Sequence, residues 1–203
     1  MDAVIVHPHP IVRRERNGTI IFSDHDKFRP NLTPKEIFEQ GAFGGTYWRK
    51  IHSGLTGREY ENICDKWNED SIYAEKLCDG KKDLPWRLDS SLLKSPMCVI
   101  TRNKYQVHSG TSLAYWESKG WINPQDPYGW IQWYCEFYYG RRTDDDERQI
   151  DRWLKFAGPK GRFYLRIVNI LKARGAKFDD AGISPVIRQG LHQWAKVITR
   201  DDL

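Results

Sequence analysis

From Pro127 to Tyr139 nearly every side chain is aromatic or apolar: Tyr128, Trp130, Ile131, Trp133, Tyr134, Cys135, Phe137, Tyr138 and Tyr139. At ~100° per residue, Trp130, Trp133, Tyr134 and Phe137 form one stripe at i, i+3, i+4 and i+7, and Ile131, Cys135 and Tyr138 carry that face round one side. A helix apolar over more than half its circumference is stable only when other elements surround it. The stretch therefore predicts a central helix whose tryptophans are core, and it argues against Trp130 and Trp133 as an open stacking platform. One narrow edge stays polar, made of Tyr128, Gln132, Glu136 and Tyr139.

The surrounding text supplies the helices to enclose it. Asp126-Pro127 opens the central helix and Gly140 stops it; Thr143 opens a second, which fades at Gly158-Pro159. Lys160 to Arg174 forms a third, closed by Gly175, and Ser184-Pro185 starts a fourth that reaches about Thr199. Upstream, Thr33-Pro34-Lys35-Glu36 is a capping box with proline at the first helical position, opening a short helix that Gly41 ends. Thr56-Gly57-Arg58-Glu59 reads as a second capping box, with a helix to about Trp67, and residues 79–96 read as a loop. Ser109 or Thr111 caps a further helix holding Leu113, Tyr115 and Trp116, which Gly120 terminates. Near the start, Asn17-Gly18 lies between Ile11–Arg16 and Thr19–Phe22 and predicts a β-hairpin, its dipeptide being the one type I′ turns prefer. Phe43-Gly44-Gly45 before Tyr47-Trp48 matches no phosphate-loop spacing and reads as a tight turn under Trp48. The expected fold is mainly α, a compact multi-helix bundle with a small N-terminal β-hairpin: an arm over residues 1–30 and one helical domain over 31–203.

Charge and cysteine usage narrow the functional classes. The 203 residues carry a net charge of +5 with a pI near 9.0, which favours polyanionic partners. Arg152, Lys155, Lys160, Arg162, Arg166, Lys172, Arg174 and Lys177 follow one another with no acidic residue before Asp179. No apolar run approaches the roughly 18 residues a membrane span needs, and the N-terminus lacks a signal-peptide core. Cys64, Cys78, Cys98 and Cys135 stand apart without zinc-ligand spacing, so neither a metal nor a cofactor is expected, and the thiols fit the reducing cytosol or nucleus.

The segments Asn103-Lys104-Tyr105, Ser112-Leu113, Trp116-Glu117, Gly120-Trp121-Ile122, Asp126-Pro127-Tyr128-Gly129-Trp130, Gln132-Trp133-Tyr134-Cys135, Gly140-Arg141-Arg142, Asp145-Asp146-Glu147-Arg148-Gln149-Ile150 and Arg152-Trp153 together form a long pattern. It resembles the signature of a family of uncharacterised proteins from fungi, algae, bacteria and large viruses, over about residues 28–198. In that family the position of Gln106 is commonly glycine and that of Glu136 commonly basic, so the chain departs at both. The resemblance implies no fold, activity or site residue.

Candidate sites come from the residues instead. Glu136, Asp144 and Asp145 are the candidate acids or bases, with Tyr128, Gln132, Tyr139, Arg141 and Arg142 to orient a substrate; the bland alternative for Asp144 to Asp146 is to complement a helix N-terminus. Two of those aspartates could hold a divalent cation, although neighbours on a helix diverge by ~100°. On the third helix Phe163, Ile167, Ile170 and Leu171 face inward while Arg162 and Arg166 face out. On the fourth, Ile187, Leu191, Trp194 and Ile198 are expected inward and Arg188, Gln189, His192 and Lys196 outward. Arg152, Lys160, Arg162, Arg166, Arg188 and Lys196 then form a candidate surface for a phosphate backbone. The leading expectation is a nucleic-acid-binding protein, with DNA favoured, that processes a base or backbone if it is an enzyme. The alternatives are an enzyme for a small anionic or phosphorylated substrate and a helical protein–protein adaptor.

Overall fold

A computed structural model describes residues 5–6, 12–61 and 88–203. Among them the chain is mainly helical. Three short antiparallel pairs join β1 (Ile5–Val6) to β6 (Arg141–Arg142), β2 (Val12–Arg14) to β3 (Ile20–Phe22), and β4 (Ile51–His52) to β5 (Glu59–Tyr60). The helices are α1 (Pro34–Glu39), α2 (Leu113–Ser118), α3 (Trp130–Tyr138), α4 (Asp146–Phe156), α5 (Arg162–Arg174) and α6 (Pro185–Gln193). No helix among the described residues is long and apolar enough to cross a membrane.

Helix α3 is the axis, and every residue from Trp130 to Phe137 is buried, polar ones included. It packs on α1 and α4, α4 packs on α5, and α5 on α6. Polar tips of its aromatics anchor it to these neighbours: Tyr134 Oη donates to the Leu32 carbonyl at 2.7 Å, and Trp133 Nε1 to Asp146 Oδ1 at 2.8 Å, at the start of α4. The start of α3 lies later than expected because Asp126 to Gly129 forms a turn, Gly129 sits at φ +87°, and a Cβ there would lie 2.8 Å from Ile122 Cδ1. Gln132 caps this start by accepting from the Tyr128 amide at 2.9 Å.

The N-terminal hairpin pairs Val12 with Phe22 and Arg14 with Ile20. Its turn differs from the expected type I′: Gly18 has a positive φ and Asn17 does not, and the Gly18 amide returns to the Glu15 carbonyl. The hairpin packs on the helical body: Ile20, Phe22 and Phe28 belong to the same buried core as α3, with Phe22 and Phe28 both ringed around Phe137. The α1 capping box forms as read, Thr33 Oγ1 accepting from the Glu36 amide while Glu36 reaches back to the Thr33 amide. Gly44 and Gly45 sit under chain crossings, where a Cβ on Gly45 would lie 2.0 Å from the Ser91 carbonyl.

Two expectations fail locally. Thr56 to Glu59 starts no helix: the Gly57 amide returns to the Ser53 carbonyl and Glu59–Tyr60 pairs as a strand with Ile51–His52, while residues 62–67 lie outside the described ones. The cap of α2 is Ser112, whose Oγ accepts from the Tyr115 amide, rather than Ser109 or Thr111. Of the expected loop over 79–96, residues 79–87 also lie outside the described ones, and Ser90–Leu92 is a 3-10 turn.

The largest difference concerns α6, which ends at Gln193 rather than near Thr199. The Lys196 amide reaches the Leu191 carbonyl and the Ala195 amide that of His192, the paired bonds of a Schellman stop, with Ala195 at φ +56° where glycine is usual. The Ala195 carbonyl then accepts from the amides of Asn31 and Leu32, so the stop joins the C-terminal segment to the entry of α1.

Candidate functional site

The polar edge of α3 closes into a buried cluster. Gln132 Nε2 donates to Glu136 Oε1 at 3.2 Å, and Glu136 pairs with Arg141. Arg141 also makes a two-pronged pair with Asp126, at 2.8 and 2.7 Å. Asp126 is 0% exposed, Gln132 and Glu136 1% each, and Arg141 6%. The two carboxylates hold the Arg141 pKa above the ordinary guanidinium value against the desolvation that opposes them. Arg142 follows the same logic: it bonds Asp24 at 2.6 Å and lies over the Phe137 ring at 3.8 Å. Tyr128 donates its hydroxyl to the Arg49 carbonyl at 2.9 Å, and Tyr139 is half-buried, with burial raising its pKa.

The acidic run at the start of α4 is likewise committed to the fold. Asp145 bonds Arg148 and Gln149, which outweigh burial and lower its pKa. Asp146 accepts from Trp133 and Thr143, although burial still raises its pKa. Asp144 is exposed. The structure places Gln132, Glu136, Arg141 and Arg142, expected at a substrate-orienting site, in the interior, where they bond one another, Asp126, Asp24 and the backbone, while Arg141 Nε keeps no partner.

Helix α6 overturns the expected surface more directly. Arg188, Gln189 and His192 are buried at 3%, 0% and 0% exposure, where outward positions were expected. Each satisfies backbone groups of packed segments. Arg188 Nε donates to the Ile183 carbonyl at 2.9 Å, Gln189 bonds both the Gly41 carbonyl and the Tyr105 amide, and His192 Nε2 meets the Ile37 carbonyl at 2.9 Å. Burial drives the His192 pKa down to about 4. Lys196 is half-buried and paired with Asp202 at 3.2 Å. Arg188 and Lys196 therefore leave the candidate phosphate surface, while Lys160, Arg162 and Arg166 remain exposed on and before α5.

With its polar side buried, α6 turns apolar residues outward. Val186 is 55% exposed, and Val186, Ile187 and Gly190 line an open cavity of about 490 Å³. One wall is a column of near-parallel rings. Trp130 lies 5.2 Å from Tyr134 at 17° and 4.8 Å from Trp194 at 28°, and Trp194 lies 4.7 Å from Phe156 at 15°. Trp116, Trp121 and Phe163 add further rings, Trp121 being 42% exposed. Tryptophan left to water on a cavity rim is the informative departure from normal burial.

Arg152, Lys155 and Arg162 supply the cavity's charge. The Arg152 guanidinium lies 5.5 Å from the Trp194 ring and 6.0 Å from the Trp121 ring, and donates to the Trp121 carbonyl and to Gln149 Oε1. Burial, and then the neighbouring Arg148, pushes its pKa down to about 10. A second cavity of about 250 Å³ shares Phe43, Tyr47 and Trp116 with the first, so the two adjoin. None of Glu136, Asp144 and Asp145 lines either cavity.

Sequence periodicity placed Ile187, Trp130 and Trp194 together as core and so missed the cavity. The available signal was Trp116, on a helix too short to bury it, and Trp121 just beyond Gly120. Among the described residues no cluster of three or more His, Cys, Asp or Glu side chains is arranged to hold a metal ion. No protein-family model, curated protein or solved structure matches the chain.

Proposed function

We propose that the chain binds nucleic acid, with a base seated in the larger cavity and the phosphate backbone crossing Lys155, Lys160, Arg162 and Arg166. The observation that carries this reading is the aromatic cavity with a half-buried guanidinium in its wall. Rings accept the π-face of any base, and such contacts are worth about 1–3 kcal/mol per base. Arg152 has no carboxylate partner among the described residues, and its lowered pKa marks a cation that a phosphate would stabilise. Lys155 and Arg162 lie on the cavity itself, and Arg166 follows Arg162 by one helical turn. These residues give a strand leaving the cavity a cationic track, and DNA is the working ligand.

Fluorescence anisotropy with labelled single-stranded and duplex DNA octamers, at 50 and 200 mM salt, tests the proposal. The expected result is low-salt binding that weakens as salt rises, with the single strand favoured because its bases are free to enter. Absence of binding to every oligonucleotide at low salt overturns it.

A second reading takes support from cavity size, since about 490 Å³ lies within the range of small-molecule sites. A free, planar, anionic metabolite would then be the occupant. A mononucleotide that binds as tightly as the octamer assigns the cavity to it.

A further inference from the structure

The smaller cavity is continuous with the larger. Five residues stand in the walls of both: Phe43, Tyr47, Ser109, Thr111 and Trp116. At about 250 Å³ it falls below the roughly 300–1,000 Å³ of sites that hold a whole drug-sized ligand, so by size it suits one further unit of whatever fills its neighbour. Two rings of the shared wall are placed there against ordinary preference. Phe43 has φ +54°, a left-handed conformation that a bulky side chain rarely adopts and that persists only where the surrounding structure enforces it. Its ring lies 4.6 Å from that of Tyr47. Trp116 is half-buried on a helix without a buried residue, and while Tyr115 and Trp121 meet edge to face at 5.8 Å, it has no ring partner among the described residues. Trp194 is covered by Trp130 and Phe156, whereas no ring of the described residues covers Trp116. Charge has the same sign in both cavities. Among the described residues neither wall contains an aspartate or a glutamate; the larger holds Arg152, Lys155 and Arg162, and the smaller holds Arg49, which donates to the Thr46 carbonyl at 3.1 Å and meets no carboxylate among those residues.

We infer that the two cavities are one site for two successive nucleotides of a single strand, a base in each, with the linking phosphate passing over the shared wall. The inference rests on the nucleic-acid reading and sets the length of ligand that the same site takes. Trp116, the uncovered ring common to both cavities, is the stacking surface. The Ser109 and Thr111 hydroxyls of the same wall are donors of the kind that hold phosphate oxygens, and Arg49 in one cavity and Arg152 in the other supply a cation for each unit. A ligand with one planar group would fill the larger cavity and leave Arg49 without an anion.

The test is competition against a labelled thymine octamer, read by anisotropy on the full chain. The competitors are 5′-phosphorylated thymidine dinucleotide, its two isomers in which one base or the other is missing, and thymidine 5′-monophosphate. The isomers carry the same phosphates as the dinucleotide, so charge cancels in the comparison. The dinucleotide should compete about tenfold better than either isomer, within what one stacked base supplies. Arg49→Gln, and Cys98→Leu, which adds bulk to the smaller cavity from an exposed position, should each weaken the dinucleotide more than the monophosphate. Thermal transitions confirm that each variant folds. A dinucleotide no better than one of its isomers, or a monophosphate that matches it, overturns the two-nucleotide site, and octamer binding then leaves the nucleic-acid reading standing. Equal weakening of the dinucleotide and the monophosphate in a folded variant removes the smaller cavity from the site and overturns the inference as well. Failure of the octamer itself to bind overturns both readings. The wild-type comparison decides alone if neither variant folds.

Discussion

At the scale of single residues, His192 and Arg141 show how differently polar groups are carried inside this chain. His192 sits neutral in the core, bonded through Nε2–H to the Ile37 carbonyl, with its pKa down at about 4 against an ordinary 6.5. Between those values the unfolded chain binds a proton that the folded one refuses, so stability falls as pH drops through 6.5 and levels off below about 4. That separation corresponds to about 3 kcal/mol. Urea denaturation at pH 7 and pH 5 should reveal this loss, and His192→Gln, which can retain the bond to Ile37, should remove the histidine's share of it. An unchanged pH slope in that variant would refute the assignment. Gln106 poses another residue-scale problem, held at φ +52° in the left-handed region that glycine tolerates better.

At the scale of elements, the Asp126–Glu136–Arg141 cluster joins the turn before α3, the helix itself and strand β6 behind it. Removing the cation would leave two carboxylates in the dry interior. Arg141→Leu should therefore cost about 3–5 kcal/mol, the range for breaking a buried pair from one side. Replacing all three with apolar residues of similar volume should cost much less, because the charges would leave together. Chemical denaturation of the single and triple variants measures the difference, and equal losses would mean that the cluster's shape rather than its charge holds these elements. The stop of α6 belongs to this scale too. Its bonds run from Ala195 to Asn31 and Leu32, far away in sequence, so no local glycine announces it.

At the scale of the whole molecule, the proposed track of Lys155, Lys160, Arg162 and Arg166 predicts a salt dependence. Each phosphate contact on a single strand contributes about −0.7 to the slope of log K against log salt. Arg166→Ala, exposed on α5, should flatten that slope by about 0.7. Titrations from 50 to 300 mM salt measure it, and an unchanged slope would remove Arg166 from the track.

The mainly helical class, the enclosed α3, the α1 capping box and the hairpin were all legible from local chemistry. Aromatic periodicity, a threonine–glutamate cap and an Asn-Gly turn act over a few residues, and their energies do not depend on distant partners. What the amino-acid order left open was which polar groups go inside. Periodicity assumes that a buried face is apolar, and on α6 that assumption fails because Gln189, His192 and Arg188 are the partners that the backbones of Gly41, Ile37 and Ile183 require. Only the packed chain brings those carbonyls to the helix, and in doing so it turns Val186, Ile187 and the Trp194 column toward the cavity that forms the candidate site.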